Sequence, residues 1–159
     1  MGAEGIFYEL SRDLTGFDEV ELLGTGRGPE YMAELDRILP PGARSALLDA
    51  YRRALHDYPD DPELGLQVEI LGDAYLGPVA RNLIFMWYTG TWQQLPDGWR
   101  AAYGISPADT PHVVSSEAYR EGLVWPAIGA HPAGAKQQGY GSWAFPPAVR
   151  GATAGGAQS

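Results

Sequence analysis

Apolar residues recur every three or four positions along the first part of the chain, which is the spacing of one face of an α-helix. The pattern predicts helices over residues 6–14, 18–23, 30–39 and 42–57. Glycine and proline mark their ends: Gly16 follows the first helix, Pro29 opens the third, and the pair Pro40–Pro41 closes it. We therefore expect a run of short amphipathic helices separated by tight turns.

The most hydrophobic segment covers residues 63–88. Its apolar residues predict one buried helical face, made by Leu64, Val68, Leu71, Tyr75, Val79, Leu83 and Trp87. Gly72 and the pair Gly77–Pro78 interrupt this face, so we expect two helices with a bend or one kinked helix. The closing stretch, NLIFMWYTG, is apolar on all sides, which predicts that it is buried all round.

Hydrogen-bonding side chains mark the starts of two further helices. Asp60 or Asp61, just before Pro62, is expected to cap the central segment, and Ser115 or Ser116 is expected to cap a short helix after it. Because caps of this kind are exposed, the paired acidic residues at these turns are interpreted as solvated caps. They are not interpreted as an acid–base pair.

The helical spacing of apolar residues becomes weak after residue 90. Residues 91–114 are predicted to form a loop, and no run of four alternating residues predicts a strand. From Trp125 onward 20 of 35 residues are Gly, Ala or Pro. We therefore predict a mainly α protein, with a small helical domain over residues 1–124 and a long irregular, aromatic- and Pro/Gly-rich C-terminal arm over residues 125–159, whose end we expect to be flexible.

Composition limits the classes of protein that the chain can belong to. The absence of cysteine excludes disulfides, iron–sulfur clusters and thiol nucleophiles. The net charge of −9 argues against binding to nucleic acid or to an anionic membrane, and no apolar run is long enough to cross a bilayer. Only 33 of 159 residues are Leu, Ile, Val or Phe, so we expect a small core and a chain that needs a further surface to pack on.

Motifs for catalysis or cofactor binding are weak. The GTGRGP run at residues 24–29 has proline where a dinucleotide fingerprint needs its last glycine, and no strand precedes it. His56, His112 and His131 lack the spacing of a zinc site, and no G-x-S-x-G elbow is present. We therefore predict no catalytic, cofactor or metal site in this chain. For His131 three roles stay open: a general base, a partner contact or a backbone-bonded structural histidine.

The C-terminal arm is the segment that favours an interaction. It carries only Lys136 and Arg150 as charged residues, while all 20 acidic residues precede it. Aromatic residues dominate the energetics of interfaces, so we predict a partner interface. Its residues are Trp125, His131, Pro132, Tyr140, Trp143, Phe145 and Pro146. The alternative is a coil packed across the protein's own helices.

Three segments of the sequence resemble a known family. They are FYELSRDLTGF at residues 7–17, IFMWYTGTW at residues 84–92, and YREGLVWPAIGAHPAGAKQQGYGSWAFPP at residues 119–147. Together and in this order they resemble the small subunits of bacterial FAD-dependent sugar and polyol dehydrogenase complexes, such as those that oxidise sorbitol, fructose and glucose. The resemblance extends over residues 7–147, nearly the whole chain.

The resemblance implies an accessory role in a hetero-oligomeric oxidoreductase complex. In such complexes a large subunit of the glucose–methanol–choline family holds FAD and the catalytic histidine, and some complexes add a multihaem cytochrome c subunit. The small subunit binds and stabilises the large one and often carries a twin-arginine export signal. It implies that this chain is non-catalytic and holds no cofactor of its own. Arg52–Arg53 lies within a predicted helix, so we expect a cytoplasmic protein, or a periplasmic one if a leader has been removed.

Two other functions compete with this one. The first is a carbohydrate- or protein-binding module that uses exposed aromatic residues. A carbohydrate site would need Trp and Tyr on a rigid concave face beside carboxylates or amides, and the arm offers only Gln137–Gln138. The second is an enzyme centred on His131, for which the sequence supplies no orienting partner.

Overall fold

The computed structural model describes residues 2–129, and this part of the chain is mainly helical, as the periodicity predicts. The helices are α1 (Ala3–Thr15), α2 (Glu19–Thr25), α3 (Gly28–Ile38), α4 (Ala43–Asp57), α5 (Pro62–Leu66), α6 (Leu76–Thr89), α7 (Asp97–Tyr103), α8 (Ser116–Arg120) and α9 (Val124–Ile128). A π-helix, Gln67–Leu71, joins α5 to the turn before α6. Two short strands, β1 (Thr91–Trp92) and β2 (His112–Val113), pair antiparallel.

The hydrophobic core lies where α1, α3 and α4 pack around α6. Each helix contributes one apolar stripe to it, because residues three or four apart share a helix face. The largest fully buried side chains of the described residues include Phe7 and Leu10 of α1, Leu35 of α3, Leu47 and Tyr51 of α4, and Leu83 and Trp87 of α6. Burying one such side chain stabilises the fold by roughly 1.5–3 kcal/mol. The apolar stripes therefore determine which faces of the helices pack together.

The predicted helix caps are confirmed. Gly16 ends α1 in the left-handed conformation, with φ of 83°. Asp61 accepts a hydrogen bond from the backbone N–H of Leu64 at 3.1 Å, and Ser115 accepts one from Ala118 at 2.9 Å. These bonds satisfy donors that the first turn of a helix otherwise leaves without partners.

The predicted face of the central segment is wrong in its first part. The chain forms two helices with a bend, as expected, but Leu64 and Val68 are 46% and 47% exposed, whereas Leu66 and Ile70 are buried. Gly65 explains the difference, because a Cβ there would lie 2.9 Å from the carbonyl oxygen of Ala54. The backbone of α5 thus approaches α4 through this glycine and turns the neighbouring leucine outward. The π-helix that follows has a wider turn, which shifts the register of every later residue.

The rest of that segment follows the prediction more closely. Asp73 caps α6 by accepting hydrogen bonds from the backbone N–H groups of Tyr75 and Leu76 at 3.0 and 2.8 Å. Val79, Leu83 and Trp87 are buried on one face of α6. The stretch was predicted to be buried all round, but Phe85 is 46% exposed, so one side of α6 faces solvent in the described part of the chain.

Residues 91–114 are not a plain loop. They contain β1, α7 and β2, and α7 is seven residues long with Trp99 as its buried residue. A helix with one buried side chain carries no apolar stripe, so periodicity alone does not reveal it. Helix α9 crosses residue 125, where the arm was predicted to begin. None of the helices among residues 2–129 has the length and apolar character needed to span a membrane.

Candidate functional site

The three segments that carry the sequence resemblance meet in one place. Trp87 lies at the centre, with the rings of Phe7 and Tyr8 both at 6.3 Å from it between centroids. Phe7 and Tyr8 belong to the first segment, and Trp87 belongs to the second. The third segment joins through Leu123, whose backbone N–H donates to the carbonyl oxygen of Trp87 at 2.9 Å. We call this meeting point the motif junction.

Tyr88 extends the motif junction on the next position of α6. Its hydroxyl donates to the carbonyl oxygen of Thr15 at 2.9 Å, and its ring packs edge-on against Phe17 at 5.6 Å. Gly122 approaches it from the other side, because a Cβ on Gly122 would lie 2.7 Å from the Tyr88 carbonyl oxygen. The end of α6 therefore fixes both the end of α1 and the start of α9, which leads into the C-terminal arm.

Trp125 is the predicted interface residue that the structure describes. Its side chain is half-buried, its indole N–H donates to the carbonyl oxygen of Tyr119 at 2.9 Å, and the two rings pack edge-on at 5.6 Å. The other predicted interface residues lie outside the described residues: His131, Pro132, Tyr140, Trp143, Phe145 and Pro146. The interface itself stays a prediction.

Three helices in the second half of the described chain carry exposed apolar side chains. Phe85 of α6, Tyr119 of α8 and Ile128 of α9 are all exposed, and both α8 and α9 contact α6. Apolar side chains on touching helices offer a surface for further packing. This surface adjoins the start of the predicted arm.

The sequence analysis missed a cluster that joins α3 to β2. His112 was predicted to lie in a loop, but its Nε2 lies 2.8 Å from Glu34 Oε2 and its Nδ1 lies 2.6 Å from the carbonyl oxygen of Thr110. Arg37 donates to the same carboxylate from Nε at 2.7 Å and from Nη2 at 3.1 Å. One turn earlier on α3, Glu30 contacts Ser115 and so holds the start of α8.

Glu34 is only 8% exposed, and its partners compensate for its burial. Burial by itself raises the pKa of the Glu34 carboxyl, but the hydrogen bonds from Arg37 and His112 outweigh it, and the net pKa lies below the ordinary value. Glu30 and Glu34 stand four residues apart on α3, which is a visible pattern. Their distant partners, Ser115 and His112, lie 85 and 78 residues away, so no local spacing identifies these two contacts.

Replacing Glu34 with glutamine is expected to cost about 1–3 kcal/mol of unfolding free energy, because it replaces a buried carboxylate that pairs with Arg37 and His112 by a neutral amide. A carboxylate with a lowered pKa stabilises the fold above its unfolded pKa, and that contribution is lost as pH falls through its folded pKa. Urea unfolding followed by circular dichroism between pH 7 and 3 should therefore show a smaller acid-dependent loss in Glu34→Gln than in the wild type. Glu30→Gln is the control, and an equal change in both variants contradicts a special role for Glu34.

A second feature that the sequence analysis missed is the buried carboxylate of Asp109, which is 1% exposed. Its Oδ1 accepts hydrogen bonds from the indole N–H of Trp92 at 2.8 Å and from the backbone N–H of Leu95 at 3.0 Å. Its Oδ2 lies 3.2 Å from Nε of Arg100, an ion pair without hydrogen-bond alignment. Asp109 also lines an open cleft of about 300 Å³ between the end of α3 and the segment that contains α7.

The remaining candidate positions carry little chemistry. His56 is exposed near the end of α4, and its Nδ1 lies 2.8 Å from the Asp57 carboxylate. GTGRGP covers the end of α2, a turn of two residues and the start of α3, and Gly26 in the turn adopts φ of 70°. Within residues 2–129 no three His, Asp or Glu side chains are grouped to hold a metal ion.

Comparison with known proteins does not place the chain in a family. No protein-family model, no curated protein and no solved structure matches it.

Proposed function

We propose that this chain is the non-catalytic small subunit of an FAD-dependent sugar, polyol or glycoside dehydrogenase complex, in which it binds and stabilises the large FAD-containing subunit. The observation that carries the proposal is the motif junction. Three segments that are far apart in the sequence, and that resemble the small-subunit family in the same order, contact one another through backbone carbonyls and aromatic rings of this one region.

These contacts support the resemblance, because the residues that touch belong to the three segments that resemble the family. Trp87 and Tyr88 of the second segment are buried or half-buried between the other two segments. The motif junction also fixes the start of α9, which belongs to the third segment.

An arm of this composition favours a partner subunit. Fixing the backbone of each residue costs about 1–2 kcal/mol, so ordering a 35-residue arm requires a large buried interface, above about 2,000 Å². The charge pattern also supports contact, because residues 125–159 carry no acidic residue while the rest of the chain has a net charge of −11. Phe85 of α6, Tyr119 of α8 and Ile128 of α9 add exposed apolar surface to the described part of the chain.

Purification of the tagged full chain from its native source tests the proposal. We expect a large yellow flavoprotein to co-purify and to oxidise a sugar or polyol, and we expect the isolated chain to bind no FAD. The large subunit expressed alone should aggregate, since exposed apolar patches associate, and co-expression with this chain should restore its solubility. Stoichiometric FAD on the isolated chain, or capture of no flavoprotein, contradicts the proposal.

Trp143→Ala is expected to weaken the complex by about 30-fold, because truncating a buried aromatic at an interface typically costs 2 kcal/mol or more. The affinity is measured by titrating the purified large subunit with each variant. Tyr103→Ala is the control, because it removes an exposed aromatic side chain that is not among the predicted interface residues. Circular dichroism should be unchanged in both variants. Loss of the helices in Trp143→Ala would place this residue in the core instead.

A further inference from the structure

The cleft between α3 and α7 is built on a fixed aromatic cluster. Trp99 stacks on Tyr75 at 5.5 Å with 15° between the ring planes, and its indole N–H donates to the Tyr75 carbonyl oxygen at 2.8 Å. Tyr103 packs against both rings, at 4.7 Å from Tyr75 and 5.1 Å from Trp99. Trp99 is buried and Tyr103 is 40% exposed, and both line the cleft. The cleft thus presents an aromatic surface that its neighbours hold in place.

Charged and polar side chains surround this surface, and their charges balance. Arg37 lines the cleft and is paired with Glu34, and Asp109 lines the cleft and is paired with Arg100. Arg37 and Asp109 are the charged residues of this lining, and each already has an opposite charge beside it, so neither a cation nor an anion would find a free countercharge there. Burying a charge without a partner is costly, so the balanced site favours a neutral ligand.

The site also has hydrogen-bonding capacity for a hydroxylated ligand. Asp109 Oδ2 accepts no hydrogen bond from residues 2–129, although the atom is buried. Its charged neighbour, Arg100 Nε, lies at 3.2 Å without hydrogen-bond alignment, so a hydroxyl group of a ligand would supply the hydrogen bond that Oδ2 lacks. Ser106 and the guanidinium of Arg37 add further polar groups at the walls. The volume of about 300 Å³ is at the lower end of ligand sites, which suits one small ring or a short polyol.

We propose that this cleft binds a small neutral polyhydroxylated molecule of monosaccharide or polyol size, with its apolar face on Tyr103 and its hydroxyl groups toward Asp109, Ser106 and Arg37. A carbohydrate site needs aromatic residues beside carboxylates or amides. The cleft has an aromatic residue beside a carboxylate, whereas the sequence of the arm has no carboxylate. The inference stands apart from the proposed subunit function, because the cleft belongs wholly to the described domain.

Titration of the isotope-labelled full chain with glucose and with sorbitol tests the inference. The readouts are the NMR signals of the Trp99 indole N–H and of the Gly104 backbone amide, which both lie at the cleft. We expect saturable shifts for at least one probe, with a dissociation constant of about 1–10 mM. Glucosamine and glucose 6-phosphate carry a charge on a similar frame and are expected to bind at least about 10-fold more weakly.

Matched variants identify the contact. Tyr103→Ala is expected to weaken binding at least about 10-fold, and Tyr103→Phe, which keeps the ring, should bind nearly as the wild type does. Tyr119→Ala is the control, since Tyr119 has a similar exposure on α8. The inference is overturned if neither probe gives a saturable shift up to about 100 mM, if Tyr103→Ala binds unchanged, or if a charged analogue binds more tightly. No partner subunit is present in this titration, so capture of a flavoprotein and sugar binding succeed or fail independently.

Discussion

Trp87→Ala is expected to lower the free energy of unfolding by about 3–5 kcal/mol, the usual cost of removing a buried tryptophan. Trp87 is 1% exposed and its ring contacts Phe7, Tyr8 and Tyr31, the last edge-on at 4.9 Å. A domain of ordinary stability has only about 5–15 kcal/mol in total. We therefore expect the variant to lose a large part of its stability and to unfold at a much lower urea concentration. Urea denaturation followed by far-UV circular dichroism measures the effect.

Two further variants separate the volume of Trp87 from its polar atom. Its indole N–H has no hydrogen-bond partner among residues 2–129, although it is buried. Trp87→Phe removes that donor along with part of the ring, so the two effects offset each other and the expected cost is about 1–2 kcal/mol. Trp125→Ala, at a half-buried position, should cost no more than about 1 kcal/mol. An unchanged unfolding midpoint in Trp87→Ala would mean that the motif junction is not the core.

Local signals in the sequence predict much of the helical fold. Helix α1 is predicted by its apolar spacing and by Gly16, and α3 by Pro29 at its start. Asp61 and Ser115 are recognisable as caps because the bond each makes lies within three residues. All of these features depend on the first few neighbours along the chain, which is why one sequence is enough to find them.

Features that depend on packing are not visible in the same way. The orientation of Leu64 follows from the close approach of Gly65 to Ala54. The spacing of apolar residues along one helix does not show where it contacts another helix. The cluster of Glu34 with His112 depends on how α3 meets the segment after β1, and the pair of Arg100 with Asp109 depends on how that segment folds on itself. The cleft has the same origin, since its two walls come from α3 and from α7 with the loop after it. A pattern read along the chain cannot predict which charges face each other across it.

Gly90→Ala is expected to cost about 2–5 kcal/mol, for two reasons that add. Gly90 has φ of 71°, a conformation that costs residues with a Cβ roughly 1–2 kcal/mol. A Cβ there would also lie 2.5 Å from the carbonyl carbon and oxygen of Ala118, and such overpacking typically costs a further 1–3 kcal/mol. The atoms that a Cβ would meet belong to the backbone of α8, which cannot rotate aside as the end of a flexible side chain can. The whole of α8 therefore has to shift.

Gly26→Ala is the matched control, because Gly26 has φ of 70° at the end of α2 but no atom lies within 4 Å of its Cβ position. It should lose only the conformational part, roughly 1–2 kcal/mol. The difference in unfolding free energy between the two variants, measured by urea denaturation, therefore measures how closely α8 packs against the end of α6. Because α8 leads into α9 and the arm, Gly90→Ala should also weaken capture of the large subunit, whereas Gly26→Ala should not. Equal losses of stability in both variants would mean that α8 does not rest against Gly90.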